Sequence, residues 1–447
     1  MTAGSPDLLF TEVTLLTAEP EAPVLRDAAL AVRGDRIAWI GPAAGASRDA
    51  RRTIRLPGRV ITPGFINLHT HSAFTMVRGV AMDLGFAPSY TRGLPNAQML
   101  APEEAVALAR AGALEALLAG STLIGEHFVH LEACLPELAK LGLRVHGSLR
   151  LNDVDFEKVA EGQWVHDPAI GEALLAKNLE MHARWHGAEQ GRVAVQFAAH
   201  AADTCSEPFL RRVAAEADAR GAVVNTHLAQ SKVEVDRVRA RSGRSPAQVL
   251  RDAGVLHERT LCGHCLYVDD ADMALMAKAG AHVVHIAKNN AASGRLAPTP
   301  KLRDAGLNIG LATDTQHGDM VELMRWALVT ARVQTGTVSD AWQPRHAFEM
   351  ATINGARALG LEKDLGSLRA GKKADLAVFD FRRPHLAPAS DPIGALVHGA
   401  HGRDIDMVLV DGRIVVEGGA ATRVDGGAVI REAERASQAL WARAKAA

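Results

Sequence analysis

Two histidines two residues apart, His69 and His71, close a stretch that reads Pro63-Gly64-Phe65-Ile66-Asn67-Leu68-His69-Thr70-His71. Residues 59–62, just upstream, are rich in β-branched side chains and read as a strand, which Pro63-Gly64 then bends. Along a strand, residues i and i+2 face the same way, so the two imidazoles stand side by side. Neutral imidazole is a ligand for zinc, iron and related ions. The chain holds 19 histidines, so a single pair is equally compatible with two core or surface side chains that happen to be close. Recurrence favours the metal: His200, His227, His264, His285 and Asp314 each end a short apolar stretch.

The elements that must position these residues alternate in type. Helical patterns at 103–119, 131–141, 170–186, 207–220 and 269–279 are each followed within a few residues by a strand-like segment. Most are stopped by a glycine: Gly120, Gly142, Gly221 and Gly280. Strand-like segments fall at the first histidine pair, at 121–125, 144–149, 193–198, 222–226, 260–263 and 282–284, and at 308–313. Eight β/α units in about 270 residues predict an α/β fold, a closed (β/α)8 TIM-like barrel. The runner-up is an open doubly wound sheet, but no glycine-rich phosphate fingerprint follows the first strand. Active sites of such barrels sit at the C-terminal ends of the strands, where all of these titratable residues lie.

The flanks have another texture. Residues 8–42 alternate around a turn at Arg33-Gly34-Asp35; 373–380 reads as a strand, and 407–410 with 413–416 as a hairpin about Asp411-Gly412. Together they predict a small β-sandwich built from both termini; two unrelated β extensions remain the other reading. The expected organisation is 1–60 in the sandwich, 61–365 in the barrel, and 366–447 in the sandwich plus a terminal helix.

Composition narrows the function classes. The 447 residues are 48% hydrophobic and 23% charged with a net charge of -1, which fits a globular chain and gives no reason to expect nucleic-acid or membrane binding. No apolar run approaches the ~18 residues of a membrane span, and the N-terminus lacks a basic segment leading into an apolar one. The four cysteines (Cys134, Cys205, Cys262, Cys265) are too few for a disulfide framework, so a cytoplasmic location is expected. Cys262-Gly263-His264-Cys265 has no second CxxC to pair with, and its thiols read as small buried hydrophobes.

At this point the pattern resembles the amidohydrolase superfamily over nearly the whole chain. The resemblance rests on the 63–71 stretch, Thr226-His227-Leu228, Gly263-His264, Ala312-Thr313-Asp314 and the tail 366–376. Within the superfamily it is similar to the branch of cytosine, guanine and adenosylhomocysteine-type deaminases and triazine hydrolases. The resemblance implies that His69, His71, His227 and Asp314 hold one divalent metal, zinc or iron, with His264 beside it. Asp314 would take a proton from the metal's water and His264 would orient the water or the oxyanion, while His200, Gln230 and His285 would meet the substrate. The fourth strand carries no lysine for a two-metal site, so a single ion is expected. A small-molecule substrate and a homo-oligomer are expected as partners.

Two departures stand out. Deaminases of this branch usually carry a glutamate three residues past the fifth-strand histidine; here it is Gln230, which does not titrate. Glu126, His127, Asp203, Lys288 and His317 sit near strand ends and are the candidates for a replacement acid, with Glu234 one helical turn beyond Gln230. The loop after His285 lacks the usual proline, and its Lys288 reads either as a contact for an anionic or carbonyl-bearing substrate or as a solvated lysine. Loops 72–102 and 152–168, with Tyr90, Arg92 and Trp164, would line the pocket or pack on themselves. The expected function is therefore hydrolysis of a non-peptide carbon–nitrogen bond of a small nitrogen compound, heterocyclic or acyclic, by deamination or by amide, urea or carbamate cleavage. The alternative is a catalytically inactive barrel that only binds a ligand.

Overall fold

A computed structural model describes residues 5–47, 49–84, 94–159 and 161–446. Strands from the two ends of the chain share one nine-stranded sheet. Its order runs Ala420–Ala421, Arg413–Glu417, Ile405–Val410, Leu376–Asp380, Arg59–Pro63, Leu8–Leu16, Val24–Arg33, Arg36–Pro42, with Arg52–Arg55 parallel to Leu8–Leu16. The junction between the termini is the antiparallel pair Leu376–Asp380 and Arg59–Pro63, with Val378 opposite Ile61. Alternation sends Phe10, Leu15, Leu30, Ile61, Leu376 and Leu409 into one fully buried core. The strands expected at both ends therefore form a single hydrogen-bonded sheet.

The middle of the chain is α/β with parallel sheets. One has the order Ala198–Ala199, Arg144–Leu151, Ser121–Phe128, Phe65–Thr70, with Val193–Val195 also on Arg144–Leu151. The other runs Val224–Leu228, Thr260–His264, His282–His285, Ile309–Leu311. Two parallel bridges link the sheets at opposite edges, Thr70 to Asp314 and Phe197 to Val224. The first is carried by Asp314 N–H to the His69 carbonyl (3.0 Å) and His71 N–H to the Asp314 carbonyl (2.7 Å). All eight expected strand segments are present; the fourth is interrupted between Val195 and Ala198. Every residue of Phe65–Thr70, Ser121–Phe128 and Arg144–Leu151 is buried, as parallel strands covered on both faces must be. Packing is tight enough that a Cβ at Gly125 would fall on the Leu68 carbonyl oxygen.

The stretch 72–102 is more helical than expected of a polar loop. Ser72–Val77, Ala81–Leu84 and Ala97–Met99 are helical turns, because Ala73, Phe74, Met76 and Val77 are apolar and bury against the helix Pro102–Leu118. Tyr90 and Arg92 lie outside the described residues.

An ionic seam ties the start of a parallel strand to the nine-stranded sheet. Arg144 donates from Nε and Nη2 to Asp375 (2.8 and 3.0 Å) and again to Asp411, and all three side chains are buried. Removing one partner of a buried pair leaves uncompensated charge. Arg144→Met is therefore expected to cost about 3 kcal/mol in urea unfolding; a loss below half that would show Lys373 and Arg192 sufficient to hold both carboxylates.

Candidate metal centre and active site

Four of the strand-end residues converge on one centre. One ligand atom each from His69, His71, His227 and Asp314 lies within 4.8 Å of the others, and all four side chains are buried. His69 Nε2 is 2.9 Å from His71 Nε2, and Asp314 Oδ1 is 3.6 Å from His71 Nε2 and 4.0 Å from His69 Nε2.

The surroundings fix which nitrogen each ring presents. His69 Nδ1–H donates to Asn225 Oδ1 at 2.9 Å and His227 Nδ1–H to the His200 carbonyl at 2.8 Å. His71 Nδ1–H donates to the His127 carbonyl. Each Nε2 is thereby left with its lone pair. Two such lone pairs facing each other at 2.9 Å repel unless a cation lies against both. Burial pushes His69 and His71 well below the usual histidine range and His227 to about 4, so all three stay neutral and able to ligate. Burial raises Asp314 to about 7, opposed only by the Asn289 amide. Three neutral imidazoles around one buried carboxylate are a donor set that fits a single divalent ion.

His264 and Asp314 both hold left-handed backbone, at φ 68° and 63°. Non-glycine residues adopt it at a cost of about 1 kcal/mol or more, and such strain gathers at functional sites. His264 Nδ1–H donates to Asn290 Oδ1 at 3.0 Å, and its ring stacks on His227 with centroids 5.4 Å apart. His200 lies 4.7 Å from His227, centroid to centroid, and shares a 2.7 Å hydrogen bond with Thr204 Oγ1. His285 stands at the end of its strand near His264, with Thr299 Oγ1 3.4 Å from its Nε2 and no partner on its buried Nδ1.

The sequence matches the Amidohydrolase family over residues 60–415. This chain belongs to the amidohydrolase family. Among its relatives is a 5-methylthioadenosine/S-adenosylhomocysteine deaminase of Moorella thermoacetica, 34% identical over 90% of this chain and 93% of the relative. A 5'-deoxyadenosine deaminase of Methanosarcina acetivorans is 31% identical over 98% of this chain and its own full length. The same fold occurs in an adenosine deaminase from Xanthomonas campestris with bound zinc, at TM-score 0.85, 24% identity and 98% and 99% coverage. It occurs again in an atrazine chlorohydrolase from Arthrobacter aurescens complexed with zinc, at TM-score 0.86, 22% identity and 97% and 100% coverage.

The amidohydrolase is thus an enzyme acting on carbon–nitrogen bonds, and the reading of a catalytically silent binding protein falls away with its ligand set intact. Each candidate for a replacement acid makes a bond within the protein, although His127 Nδ1, Asp203 Oδ1 and His317 Nδ1 are buried without a partner. Glu126 accepts from Thr70 Oγ1 (2.6 Å) and the Ser72 amide (2.9 Å). His127 bonds Gln196 Oε1 (3.0 Å), Asp203 accepts from the Trp164 indole (3.2 Å), and His317 bonds Asn289 Oδ1 (3.1 Å). Lys288 is ion-paired to Glu322 at 2.7 Å, and both side chains remain partly exposed. Glu234 spends both oxygens on the backbone amides of Ala229 (2.9 Å) and Gln230 (2.7 Å), which leaves it a clamp on the loop.

Four residues escaped the sequence reading. Asn225 orients His69, and Asn290 orients His264. Asn289 Nδ2 spans the carbonyls of Thr313 and Thr315, each at 3.1 Å, and approaches Asp314 Oδ2 at 3.4 Å. Arg150 lies over the Phe156 ring at 3.9 Å and is near enough to His71, His200 and His227 to lower their pKa values. Consecutive asparagines just past a strand-ending histidine were the one available signal.

Proposed function

We propose that this amidohydrolase uses one divalent ion, zinc or else iron, to hydrolyse a carbon–nitrogen bond of a small nitrogen heterocycle of the adenine-nucleoside kind or of a related acyclic amide or urea. The observation that carries the reading is the convergence of His69, His71, His227 and Asp314 with His264 beside them. The deaminase relatives at 30% identity or more, aligned over nearly the full chain, support the substrate class.

His69, His71, His227 and Asp314 would hold the ion, which would supply a water acidic enough to ionise near neutrality. With the ion bound, Asp314 would hold it through one carboxylate oxygen, and the carboxylate would take the water's proton and hand it to the leaving nitrogen. His264, fixed by Asn290, directs its Nε2 toward the developing oxyanion. His200, His285 and the Gln230 amide hold the substrate. Gln230 donates and accepts hydrogen bonds but delivers no proton, which favours a reacting carbon already electron-poor without ring protonation.

The finer architecture belongs to the same reading. The bridges Thr70–Asp314 and Phe197–Val224 support closure of the two parallel sheets into a (β/α)8 barrel over 61–365. The shared core of Phe10, Ile61 and Leu409 supports a sandwich from 1–60 and 366–447. Exposed Val329, Val333 and Val338 suit a homo-oligomer, and four buried free cysteines suit the cytoplasm; no described helix is long and apolar enough to cross a membrane.

Ammonia release from a panel of aminated purine nucleosides, aminated triazines, and acyclic ureas and carbamates tests the substrate class. Turnover of an acyclic compound with none from any ring would reject the nucleoside version. Chelation is expected to abolish turnover and lower Tm by about 5 °C, with one equivalent of zinc restoring both. Full activity after exhaustive chelation would remove the ion from the mechanism.

A further inference from the structure

The helix Lys232–Ser242 holds three loops at the metal-centre end of the parallel strands with one face. Glu234, Arg237 and Arg241 are three and four residues apart, the spacing that aligns side chains along a helix. Glu234 clamps the amides of Ala229 and Gln230, just past Val224–Leu228. Arg241 donates from Nη2 to the Ala202 carbonyl (2.6 Å), two residues past His200. Both arginines reach the third loop, 152–168, which follows Arg144–Leu151. The Arg237 guanidinium lies over the Trp164 ring at 3.5 Å and donates to the Gly162 carbonyl at 3.1 Å; Arg241 Nη1 donates to His166 Nε2 at 3.4 Å.

Among its described residues the 152–168 loop is folded on itself. Asp155 N–H donates to the Val165 carbonyl (2.8 Å) and Asp167 N–H to the Asp153 carbonyl (2.7 Å), which pairs its two ends. Val154, Phe156 and Val159 bury as a small apolar cluster of their own, with Trp164 packed on it. Phe156 sets its ring edge-on against His200, with centroids 5.3 Å apart and planes at 86°. Trp164 ties the loop down from outside. Its Nε1–H donates to Asp203 Oδ2 (3.2 Å), three residues past His200, while Arg237 covers its face.

What this loop can disturb at the site is a ring and not a strand. The His200 main chain is fixed, its amide on the Leu151 carbonyl and its carbonyl under the His227 amide, both at 2.9 Å. The His200 ring is held by Thr204 Oγ1 at Nδ1 and by Phe156. The histidine ligands keep their own partners in Asn225 and in the His200 and His127 carbonyls. Trp164 is partly exposed and Arg237 exposed, so the latch consists of weak surface contacts, and segments held that way open locally at small cost. Its release would unseat Phe156 and free the His200 ring while the metal centre stays built.

We propose that Trp164 and Arg237 are positioning residues: they latch the 152–168 loop so that Phe156 braces the His200 ring, and this sets how tightly substrate binds, not how fast it reacts. The role rests on the contact between His200 and substrate given above.

Hydrogen–deuterium exchange of the metal-loaded full chain reads the latch without any substrate. Trp164→Leu and Arg237→Gln are expected to speed exchange of the Asp155 and Asp167 amides by about tenfold or more, with Val224–Leu228 unchanged. Arg237→Lys, which keeps a cation over the indole, should stay close to the parent. Unaltered exchange in the loop overturns the latch, and so does acceleration that extends to Val224–Leu228, the mark of general destabilisation. Steady-state kinetics on a compound that the parent hydrolyses reads the consequence. Trp164→Leu and Arg237→Gln are each expected to raise KM by about tenfold with kcat within about threefold, and to raise it no further in a His200→Ala background. A fall in kcat at constant KM, or effects that add to that of His200→Ala, would overturn the role. A KM indifferent to His200→Ala alone would instead sink the substrate contact of His200, with loop exchange still deciding the latch.

Discussion

Asp314→Asn is expected to lower turnover by at least about a thousandfold on any substrate the parent hydrolyses, with the fold intact. The substitution keeps the size of the side chain and its place opposite Asn289, but removes both the negative ligand and the proton acceptor. A second effect has the opposite sign. Burial lifts the Asp314 carboxyl to about 7 from the ordinary 3.8 of the unfolded chain. Between those values the unfolded state gives up its proton first, so the metal-free protein loses stability as pH rises through the window, and the loss is complete above it. The neutral asparagine carries no such penalty. Metal-free Asp314→Asn should therefore be more stable than the metal-free parent at pH 8, by about 4 kcal/mol, and match it near pH 4. Steady-state assays and thermal melts at the two pH values read both effects. Near-parental turnover would strip Asp314 of its role; a destabilised variant at pH 8 would show that the carboxylate is compensated by something other than an ion.

How much of this was legible follows from what each residue does. His69 and His71 were legible because strand periodicity alone puts them on one side. His227, His264 and Asp314 were legible because each falls at the end of a short strand-like segment that follows a helical pattern, where barrel sites gather. Asn225, Asn289 and Asn290 act by hydrogen bonds that include residues 156, 25 and 26 positions away, and no period encodes such a partner. The ion-pair partner of Lys288 was hidden for the same reason, since it lies 34 residues on. Glu234 is a subtler case. Ser231-Lys232-Val233-Glu234 carries the helix-start spacing of serine and glutamate, and Ser231 Oγ does accept the Glu234 amide at 3.0 Å. A capping glutamate would turn back to the amide of the capping residue itself. Here it reaches one and two residues further, to Gln230 and Ala229, and so fixes the very loop that carries Gln230. The terminal strands were legible as texture, but the register of Val378 against Ile61 was not, because nothing local sets a pairing between strands so distant in sequence.

Gln230→Glu is expected to raise ammonia release from aminopurine nucleosides by about a hundredfold or more, or to create it where the parent has none. Gln230 is 6% exposed and stands three residues past His227, on a loop whose amides Glu234 already clamps. The new carboxyl would enter a pocket that holds two buried carboxyls, Asp203 and Glu234, both pushed upward by burial. Like charges raise one another's pKa, so the introduced carboxyl would titrate above an ordinary glutamate, toward the range in which a carboxylic acid protonates a ring nitrogen at neutral pH. The same crowding has a stability cost of about 1 kcal/mol, read as a lower Tm. The substrate panel gives the decisive contrast. If ring deamination rises while acyclic turnover falls, the side chain at position 230 sets the substrate class, and the parent glutamine marks an enzyme specialised for carbons that need no ring protonation. If no substrate responds, position 230 is not where the leaving group obtains its proton, and Asp314 carries both transfers alone.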